Sequence, residues 1–227
     1  MTRQELQDAL AKMFQDAVDR GGTIGNSLSY YDPNRLHTED DAVFLASIAD
    51  TIKFNDERSA INEILRTGNI KYFYHFTSRK NLTSIRQNDG LYSWKYLKSH
   101  NIDIPVQGGD EWSQSLDERN GIADYVRLSF CNDHPMAHRH IQNGEDIVVL
   151  KISTDVATID GTMFSNMNAV DSRCHCAPGV DGLKQVSYAA TQEKYLRNDD
   201  PWFKYKQAEI LVKTHVPLKY ILNIDEF

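Results

Sequence analysis

The order of the strand-like segments is the feature that most constrains the fold of this 227-residue chain. Segments at residues 124–130, 146–152 and 207–214 have the β-branched and aromatic character of strands. No regular series of helices alternates with them, which argues against a doubly wound parallel sheet and favours an α+β fold. The sequence also lacks a Gly-rich dinucleotide motif and a phosphate loop of the Gly-x-x-x-x-Gly-Lys type. Any dinucleotide site would therefore lie outside a Rossmann frame.

The remaining segments of this α+β region are less regular. Residues 71–76 are aromatic and strand-like, residues 81–87 are predicted to form a short helix, and residues 219–223 are predicted to form a last strand. Residues 98–121 are polar, which predicts a long loop. Residues 160–206 show mixed signals, and an unpatterned stretch inside a compact domain is usually functional or mobile.

The first 70 residues differ from the rest of the chain and predict an N-terminal helical extension, 1–70, before a catalytic domain at residues 71–227. Apolar residues recur at three- and four-residue steps within residues 2–20, and a second helical region covers about residues 39–66. Packing on the catalytic domain explains this amphipathic pattern, and so does docking of a partner or of nucleic acid. We favour packing.

The composition excludes some classes of protein. Apolar residues make up 41% of the chain, which is enough for a core, and the formal net charge of -7 argues against a protein that simply coats nucleic acid. An enzyme with a locally basic groove stays possible. Three cysteines predict a reducing compartment, and the N-terminal residues lack the apolar stretch of a signal peptide. We therefore predict a cytoplasmic protein with no membrane association.

Glu209 is the most unusual residue of the third strand. It lies among apolar residues of the run 207–212, and burial of a carboxylate is unfavourable unless the group is paired or used in chemistry. Alternation places Glu209 and Leu211 on one face of the strand. A solvent-facing Glu209 is the alternative interpretation, and Leu211 beside it weighs against that.

Two further strands carry polar candidates. Tyr125, Arg127 and Ser129 share one face of an otherwise apolar strand, which indicates a ligand surface or a face covered by a helix. His75 lies near the end of an aromatic strand, just before Thr77, and it is either a donor to a ribose or phosphate or a packed core histidine.

Histidines and cysteines raise the question of a metal. His134, His138 and His140 follow Cys131 closely, but only one residue separates the other two cysteines, Cys174 and Cys176. Two to four residues usually separate neighbouring structural zinc ligands. We therefore predict no metal site.

An aromatic and basic run precedes the Glu209 strand. Trp202 is suited to stack on a base, and Lys204 and Lys206 are suited to contact phosphates. The alternative is an aromatic anchor that fixes the loop to the core.

Four blocks of the sequence, in order, resemble the DarT family of nucleic-acid ADP-ribosyltransferase toxins, over about residues 71–224. They are Tyr74-His75-Phe76-Thr77 with Asn81, Leu82, Ile85 and Gly90-Leu91, then Asp124 to Phe130 running into Pro135-Met136, then Phe164 to Ala169, and then Gln207 to Val212. The first 70 residues lie outside the resemblance.

The resemblance implies an ADP-ribosyltransferase-like split β-sandwich that takes NAD as co-substrate. It implies cofactor-binding residues, catalytic residues and substrate recognition in the segment after the third block. The implied cofactor-binding residues are His75, Thr77, Gly90, Leu91, Tyr125, Ser129 and Asn168, and the implied catalytic residues are Glu209 and Arg127. It also implies an antitoxin partner, because a cell must neutralise such a toxin.

One position departs from the family pattern. Members that act on thymine in single-stranded DNA usually carry an Arg shortly before the Pro-Met pair, where this chain has Asp133. Guanine in DNA or a base in RNA is then at least as good an acceptor as thymine, and His134 or Arg139 is the candidate to assist. A protein ADP-ribosyltransferase, an NAD glycohydrolase and a non-enzymatic interaction module are the alternatives.

Overall fold

Two antiparallel sheets organise the chain in the computed structural model, which describes residues 57–227 except 109, 110 and 195. The helix predicted for residues 2–20, and the part of the second predicted helix before residue 57, lie outside the described residues. Residues 57–67 are helical, as predicted. The boundary predicted between residues 70 and 71 stays a prediction.

Six strands form the larger sheet in the order β4-β1-β3-β7-β5-β6, and two strands form the smaller sheet, β2-β8. The strands are β1 Phe73–Ser78, β2 Gly90–Tyr92, β3 Tyr125–Ser129, β4 Ile147–Ile152, β5 Met163–Ser165, β6 Cys176–Pro178, β7 Glu209–Lys213 and β8 His215–Pro217. All neighbouring strands are antiparallel. The predicted α+β class is therefore confirmed.

Short helices precede and connect the strands. They are α1 (57–67), α2 Leu82–Gln87, α3 Trp94–Ser99, α4 Glu111–Arg119, α5 Pro135–Gln142, α6 Gly179–Leu183, α7 Tyr188–Gln192 and α8 Phe203–Lys206. Side chains fix two helix starts: Ser93 Oγ accepts the Tyr96 N–H (3.2 Å) at α3, and His134 Nδ1 accepts the Met136 N–H (3.3 Å) at α5. Pro135 occupies the first turn of α5, where no N–H is needed.

Two predicted segments are wrong. Residues 98–121 are not one loop, because they contain the end of α3 and all of α4, a polar helix without an apolar period. Residues 219–223 are not a strand, because a 3-10 turn, Leu218–Tyr220, occupies their start and only Ile221 bridges to β4, at Ile152. The Asn223 side chain replaces a ladder there, since it accepts the Lys151 N–H (2.7 Å) and donates to the Val149 carbonyl (3.1 Å).

Strand β7 is buried on both faces. Ala208, Ile210 and Val212 face the main core, and Leu211 packs with Ile122 and Ala169 on the opposite face. The predicted alternation is therefore confirmed. The solvent-facing alternative for Glu209 is wrong, because only 4% of this residue is exposed.

The larger sheet opens between β1 and β3. Six residue pairs join β1 to β4, but only the pair Tyr74 and Ser129 joins β1 to β3. Beyond that pair, the His75 ring meets the Arg127 carbonyl through Nδ1 at 3.1 Å. This side-chain contact takes the place of a backbone ladder, so the sheet is split at the point where the polar residues of β3 begin.

Candidate active site

Three strands bring one polar row together. Tyr74 of β1 lies opposite Ser129 of β3, and Ser129 lies opposite Glu209 of β7. Residues that face each other across antiparallel strands project from the same face of the sheet. Arg127, two residues before Ser129, therefore projects from this face as well. We call this side of the sheet the Glu209 face.

Arg127 and Glu209 form a forked ion pair on that face. The Arg127 Nη2 donates to both Glu209 carboxylate oxygens, at 2.8 and 2.6 Å, and Nε donates to Oε1 at 3.1 Å. The side chains are 25% and 5% exposed. Charge-assisted bonds of this fork geometry are short and directional, so the pair fixes the position of the carboxylate.

Neighbouring groups complete the surroundings of this ion pair. Arg127 Nη1 donates to Asp117 Oδ1 (3.1 Å), and Nη2 donates to Asn168 Oδ1 (2.9 Å). The Ala169 N–H donates to Glu209 Oε2 at 2.8 Å. Arg127 thus serves two carboxylates, whereas Glu209 has one cation partner among these contacts.

Ser165 holds the backbone of Glu209. Its hydroxyl accepts the Glu209 N–H at 3.0 Å and donates to the Met167 carbonyl at 2.7 Å. These bonds tie β7 to the loop that follows β5, which is the loop that carries Asn168 and Ala169. The catalytic candidate is therefore held at both its main chain and its side chain by one loop.

The charges on the Glu209 face shift two pKa values. Burial opposes the charge on Arg127, but the Glu209 and Asp117 carboxylates outweigh burial, and the pKa of Arg127 is raised. Burial raises the pKa of the Asp117 carboxyl, and Arg127 offsets only part of this effect. Arg127 is accordingly a permanent cation between two carboxylates.

Glu209 keeps capacity to bind a further hydrogen-bond donor. An ionised carboxylate offers about four lone-pair positions, and a ligand hydroxyl can add to the bonds from Arg127 and Ala169. A fixed carboxylate in a largely water-excluded site also stabilises a positive charge that develops beside it more strongly than water does. The arrangement is therefore suited to chemistry that passes through a cationic centre.

The predicted cofactor residues of β1 lie apart from the Glu209 side chain. Alternation sends His75 and Thr77 to the side of β1 opposite Tyr74. Burial lowers the pKa of His75, and its contact with the Arg127 carbonyl only partly compensates, so the ring is neutral at pH 7. Thr77 accepts a hydrogen bond from Asn81 at 3.0 Å. Their contact with NAD stays a prediction.

Gly90 and Leu91 have a structural role in the smaller sheet. Gly90 adopts φ +136, and an added Cβ would stand 2.2 Å from the Val216 carbonyl oxygen, so no other residue fits there. Leu91 is buried in the main core. Tyr125 packs beside Leu211 and Ile122. Contact of these residues with NAD also stays a prediction.

Two of the residues predicted to bind the acceptor substrate are buried. His134 is 3% exposed. Lys206 is also 3% exposed, and its ammonium group donates to Asp133 (2.8 Å) and to the Glu193 carbonyl (2.6 Å). A phosphate contact by Lys206 would require these bonds to open.

The other predicted substrate residues are accessible. Arg139 is exposed on α5. Trp202 is 47% exposed and lines a surface cavity of about 500 Å³ with Asp200 and Glu193. The Lys204 ammonium lies 4.7 Å from the centre of the Tyr205 ring. The structure does not bring these residues into contact with Glu209.

Asp117 was not predicted as a residue of the site, because it lies on α4, which was predicted as loop. Ser165 and Ala169 belong to the third block of the family resemblance, but their bonds to Glu209 were not predicted. Asn168 was predicted only through the family resemblance. A buried acid in a polar helix and a backbone N–H leave no periodic signal in a sequence, so only the fold shows them.

No three His, Cys, Asp or Glu side chains are grouped as metal ligands in the described part of the chain. Cys174 and Cys176 are the closest thiols, with their sulfur atoms 3.5 Å apart. Among residues 57–108, 111–194 and 196–227, no helix has the length and apolar character that crossing a membrane requires.

Comparisons with known proteins bear on the family of this chain. A family model described as "ssDNA thymidine ADP-ribosyltransferase, DarT" matches residues 74–226. A comparison with curated proteins gave no match.

Solved structures show the same fold. Thermus sp. 2.9 DarT in complex with ADP-ribosylated ssDNA has a TM-score of 0.55 and 24% identity over 67% of this chain and 79% of that one. Thermus sp. 2.9 DarT in complex with NAD+ has a TM-score of 0.55 and 22% identity over 69% and 85%. Thermosipho africanus DarTG in complex with ADP-ribose has a TM-score of 0.57 and 19% identity over 66% and 42%.

These likenesses confirm the predicted ADP-ribosyltransferase-like fold, and the family model covers the strands that carry Arg127 and Glu209. The chain belongs to the DarT family of ADP-ribosyltransferases.

Proposed function

We propose that this chain transfers ADP-ribose from NAD+ to a ring nitrogen of thymine in single-stranded DNA. The observation that carries the proposal is the Glu209 carboxylate, which is buried and fixed by Arg127 and the Ala169 N–H on the Glu209 face. Family membership and the family description supply the acceptor. Relatives of this fold are known in complex with NAD+ and with ADP-ribosylated ssDNA.

The chemistry assigns a role to each group of the ion pair. Cleavage of the bond between ribose C1 and the nicotinamide nitrogen gives the ribose oxocarbenium character, as in glycoside hydrolysis. Glu209 accepts a hydrogen bond from the ribose hydroxyl next to C1 and stabilises this positive charge in the transition state. Arg127 and Ala169 hold the carboxylate in place, so no reorganisation is needed during the reaction.

The reaction balances with a single proton released. The C1–nicotinamide bond breaks, a bond between C1 and the base nitrogen forms, and the base loses its N–H proton. The products are ADP-ribosylated DNA, nicotinamide and one proton. Ser129 pairs with Glu209 and Asn168 accepts a hydrogen bond from Arg127, which supports the proposal that both contact the ribose or nicotinamide of NAD+.

The nucleic acid needs a surface despite the net charge of -7. Arg139, Lys204 and Trp202 are accessible enough to contact a single strand, and base stacking on an aromatic ring tolerates any sequence. Local charge rather than net charge governs such contacts.

The biological role that fits this activity is that of a toxin or anti-phage effector, held in check by an antitoxin protein. Modified bases block template use, so unchecked transfer would stop growth. Expression of the wild-type chain and of the Glu209→Gln variant in the same cells tests this role. Growth arrest by the wild-type chain alone supports it.

The decisive experiment offers labelled NAD+ and four acceptors in parallel. The first is a single DNA strand with thymine at one defined position, and the second is the same strand with guanine at that position. The other two are the matching RNA and a protein. We expect label on the thymine strand. Label on RNA or protein, or release of nicotinamide with no acceptor labelled, would replace the proposal by the corresponding activity.

The matched variant is Glu209→Gln. It keeps the shape of the side chain and removes the charge, so transfer should fall by at least about 10²–10³-fold. The thermal unfolding midpoint should stay close to that of the wild-type chain, because Arg127 retains Asp117 as a partner. Near-normal transfer by the folded variant would remove Glu209 from the mechanism.

A further inference from the structure

His134 is a buried histidine that the mechanism above does not use. It lies in the loop between β3 and α5, five residues after the residue that faces Glu209, and it is 3% exposed. Its ring packs 6.1 Å from the Phe76 ring, between centres. The Nε2 atom is buried and has no hydrogen-bond partner among the described residues.

The start of α5 fixes which ring nitrogen carries the proton. His134 Nδ1 accepts the Met136 N–H at 3.3 Å, so Nδ1 presents a lone pair. In a neutral imidazole the other nitrogen then carries the hydrogen. His134 therefore presents a buried Nε2–H donor, and an unsatisfied buried donor is destabilising unless a ligand group accepts its hydrogen bond.

Burial keeps the His134 ring neutral, and the charged groups around it act in both directions. Burial lowers the pKa of His134, and the positive charges of Arg127 and Lys206 add to that effect. The carboxylates of Glu209 and Asp133 act in the opposite direction but do not outweigh it. Phe76, against which the ring packs, is two residues after Tyr74 on β1, so alternation places Phe76 and the His134 ring on the Glu209 face.

The neighbouring ion pair holds the loop that carries His134. Asp133 binds the buried Lys206 ammonium at 2.8 Å, and Lys206 also donates to the Glu193 carbonyl. Asp133 thus anchors the loop to α8, directly before β7. The acidic residue therefore holds the main chain directly before His134.

We propose that the His134 Nε2–H donates a hydrogen bond to a carbonyl oxygen of the acceptor base, beside the nitrogen that attacks the ribose. The inference rests on the proposed function and names the side chain that selects the acceptor. A thymine ring nitrogen that carries hydrogen lies between two carbonyl groups. Loss of its proton spreads negative charge onto those oxygens, and a fixed donor stabilises this charge.

His134 acts as a donor and not as the base in this scheme. Nε2 already carries hydrogen and Nδ1 is engaged by the Met136 N–H, so neither nitrogen is free to take the proton. The proton of the base is released to solvent, as in the balanced reaction, and Glu209 keeps the charge that stabilises the ribose. Bases without a carbonyl group beside a ring N–H do not match the donor.

Two substitutions separate the donor from the helix cap. His134→Asn places an amide oxygen near the position of Nδ1, which preserves the cap of α5, but it leaves no donor at the position of Nε2. His134→Gln extends its amide nitrogen to about the position of Nε2 and loses the cap. A structural role and a donor role therefore predict opposite orders of activity for the two variants.

We expect His134→Asn to lower kcat/KM for transfer to the thymine strand by about 10²-fold. Its hydrolysis of NAD+ by water should change by less than about threefold, because water needs no carbonyl contact. His134→Gln should retain transfer within about tenfold of the wild-type chain, although its melting temperature should fall below that of His134→Asn through loss of the cap.

Three results would overturn the inference. One is unchanged transfer by His134→Asn. Another is an equal fall of the transfer and hydrolysis rates of this variant, which would mean that His134 donates its hydrogen bond to NAD+ and not to the base. The third is loss of transfer by folded His134→Gln but not by His134→Asn. Failure of the wild-type chain to label any base is a different outcome, since it defeats the proposed function itself.

Discussion

The two faces of strands β3 and β7 share one backbone but have different functions. On one face, Val126, Leu128 and Ile210 belong to the main core. On the other, Arg127 and Glu209 form the ion pair, next to the small apolar cluster around Leu211. Alternation along a strand assigns successive residues to these faces, so catalytic and core residues are immediate neighbours in the sequence.

The difference between the faces is energetic. Burial of each large aliphatic side chain stabilises the fold by about 1.5–3 kcal/mol. A buried ion pair is close to neutral at best, because desolvation of the charges offsets their attraction. The Glu209 face is therefore retained for chemistry and is supported by the stability of the other face. Variants on the two faces should separate stability from activity.

Arg127→Met should give the largest loss of stability. It leaves Glu209 without its cation, and Asp117 as well, since both carboxylates bind this one guanidinium. Removal of one partner of a buried pair costs about 3–5 kcal/mol. Urea denaturation measures the free energy of unfolding.

The double variant Arg127→Met with Glu209→Gln supplies the control. It should recover part of the loss, because a neutral amide replaces the unpaired carboxylate. Glu209→Gln alone should have a much smaller effect than Arg127→Met. Equal losses of unfolding free energy for the two single variants would contradict the asymmetric arrangement, in which two carboxylates share one guanidinium.

Ile210→Ala should weaken the apolar face by about 2–5 kcal/mol. Ile210 is fully buried beside Glu209, so the substitution leaves a cavity in the main core. Activity measured well below the new melting temperature should remain, because no group of the Glu209 face changes. A loss of activity as large as that of Glu209→Gln, in a folded protein, would show that the two faces are not separable.

The sequence predicted which residues lie on each face of a strand, but it did not predict the contacts between strands. Alternation correctly placed Glu209 with Leu211, and Arg127 with Ser129, because the side-chain period of a strand is local. That Arg127 meets Glu209 depends on the register of β3 against β7. Register arises from the packing of the whole sheet, which a single sequence does not encode locally.

The contribution of α4 could not be predicted for a similar reason. Its residues are mostly polar, so the segment has no apolar period that distinguishes a helix from a loop. Asp117 is buried and its carboxylate pairs with Arg127, a contact that depends on the fold. Likewise, the donor state of His134 follows from its place at the start of α5, and the sequence alone left it as one histidine among several.

The smallest effect we expect is a loss of stability in mild acid. Burial lowers the pKa of both His75 and His134 below their ordinary value in the unfolded chain, about 6.5. The unfolded chain therefore binds more protons below that pH, and the free energy of unfolding should fall as the pH drops through about 6.5. Asp117, whose pKa is raised, acts in the opposite sense and at lower pH.

Melting curves from pH 8 to pH 5 measure how steeply stability changes with pH. The His134→Asn variant should flatten this slope, whereas substitution of the exposed His138 should not. An unchanged slope in His134→Asn would mean that His134 does not contribute to it.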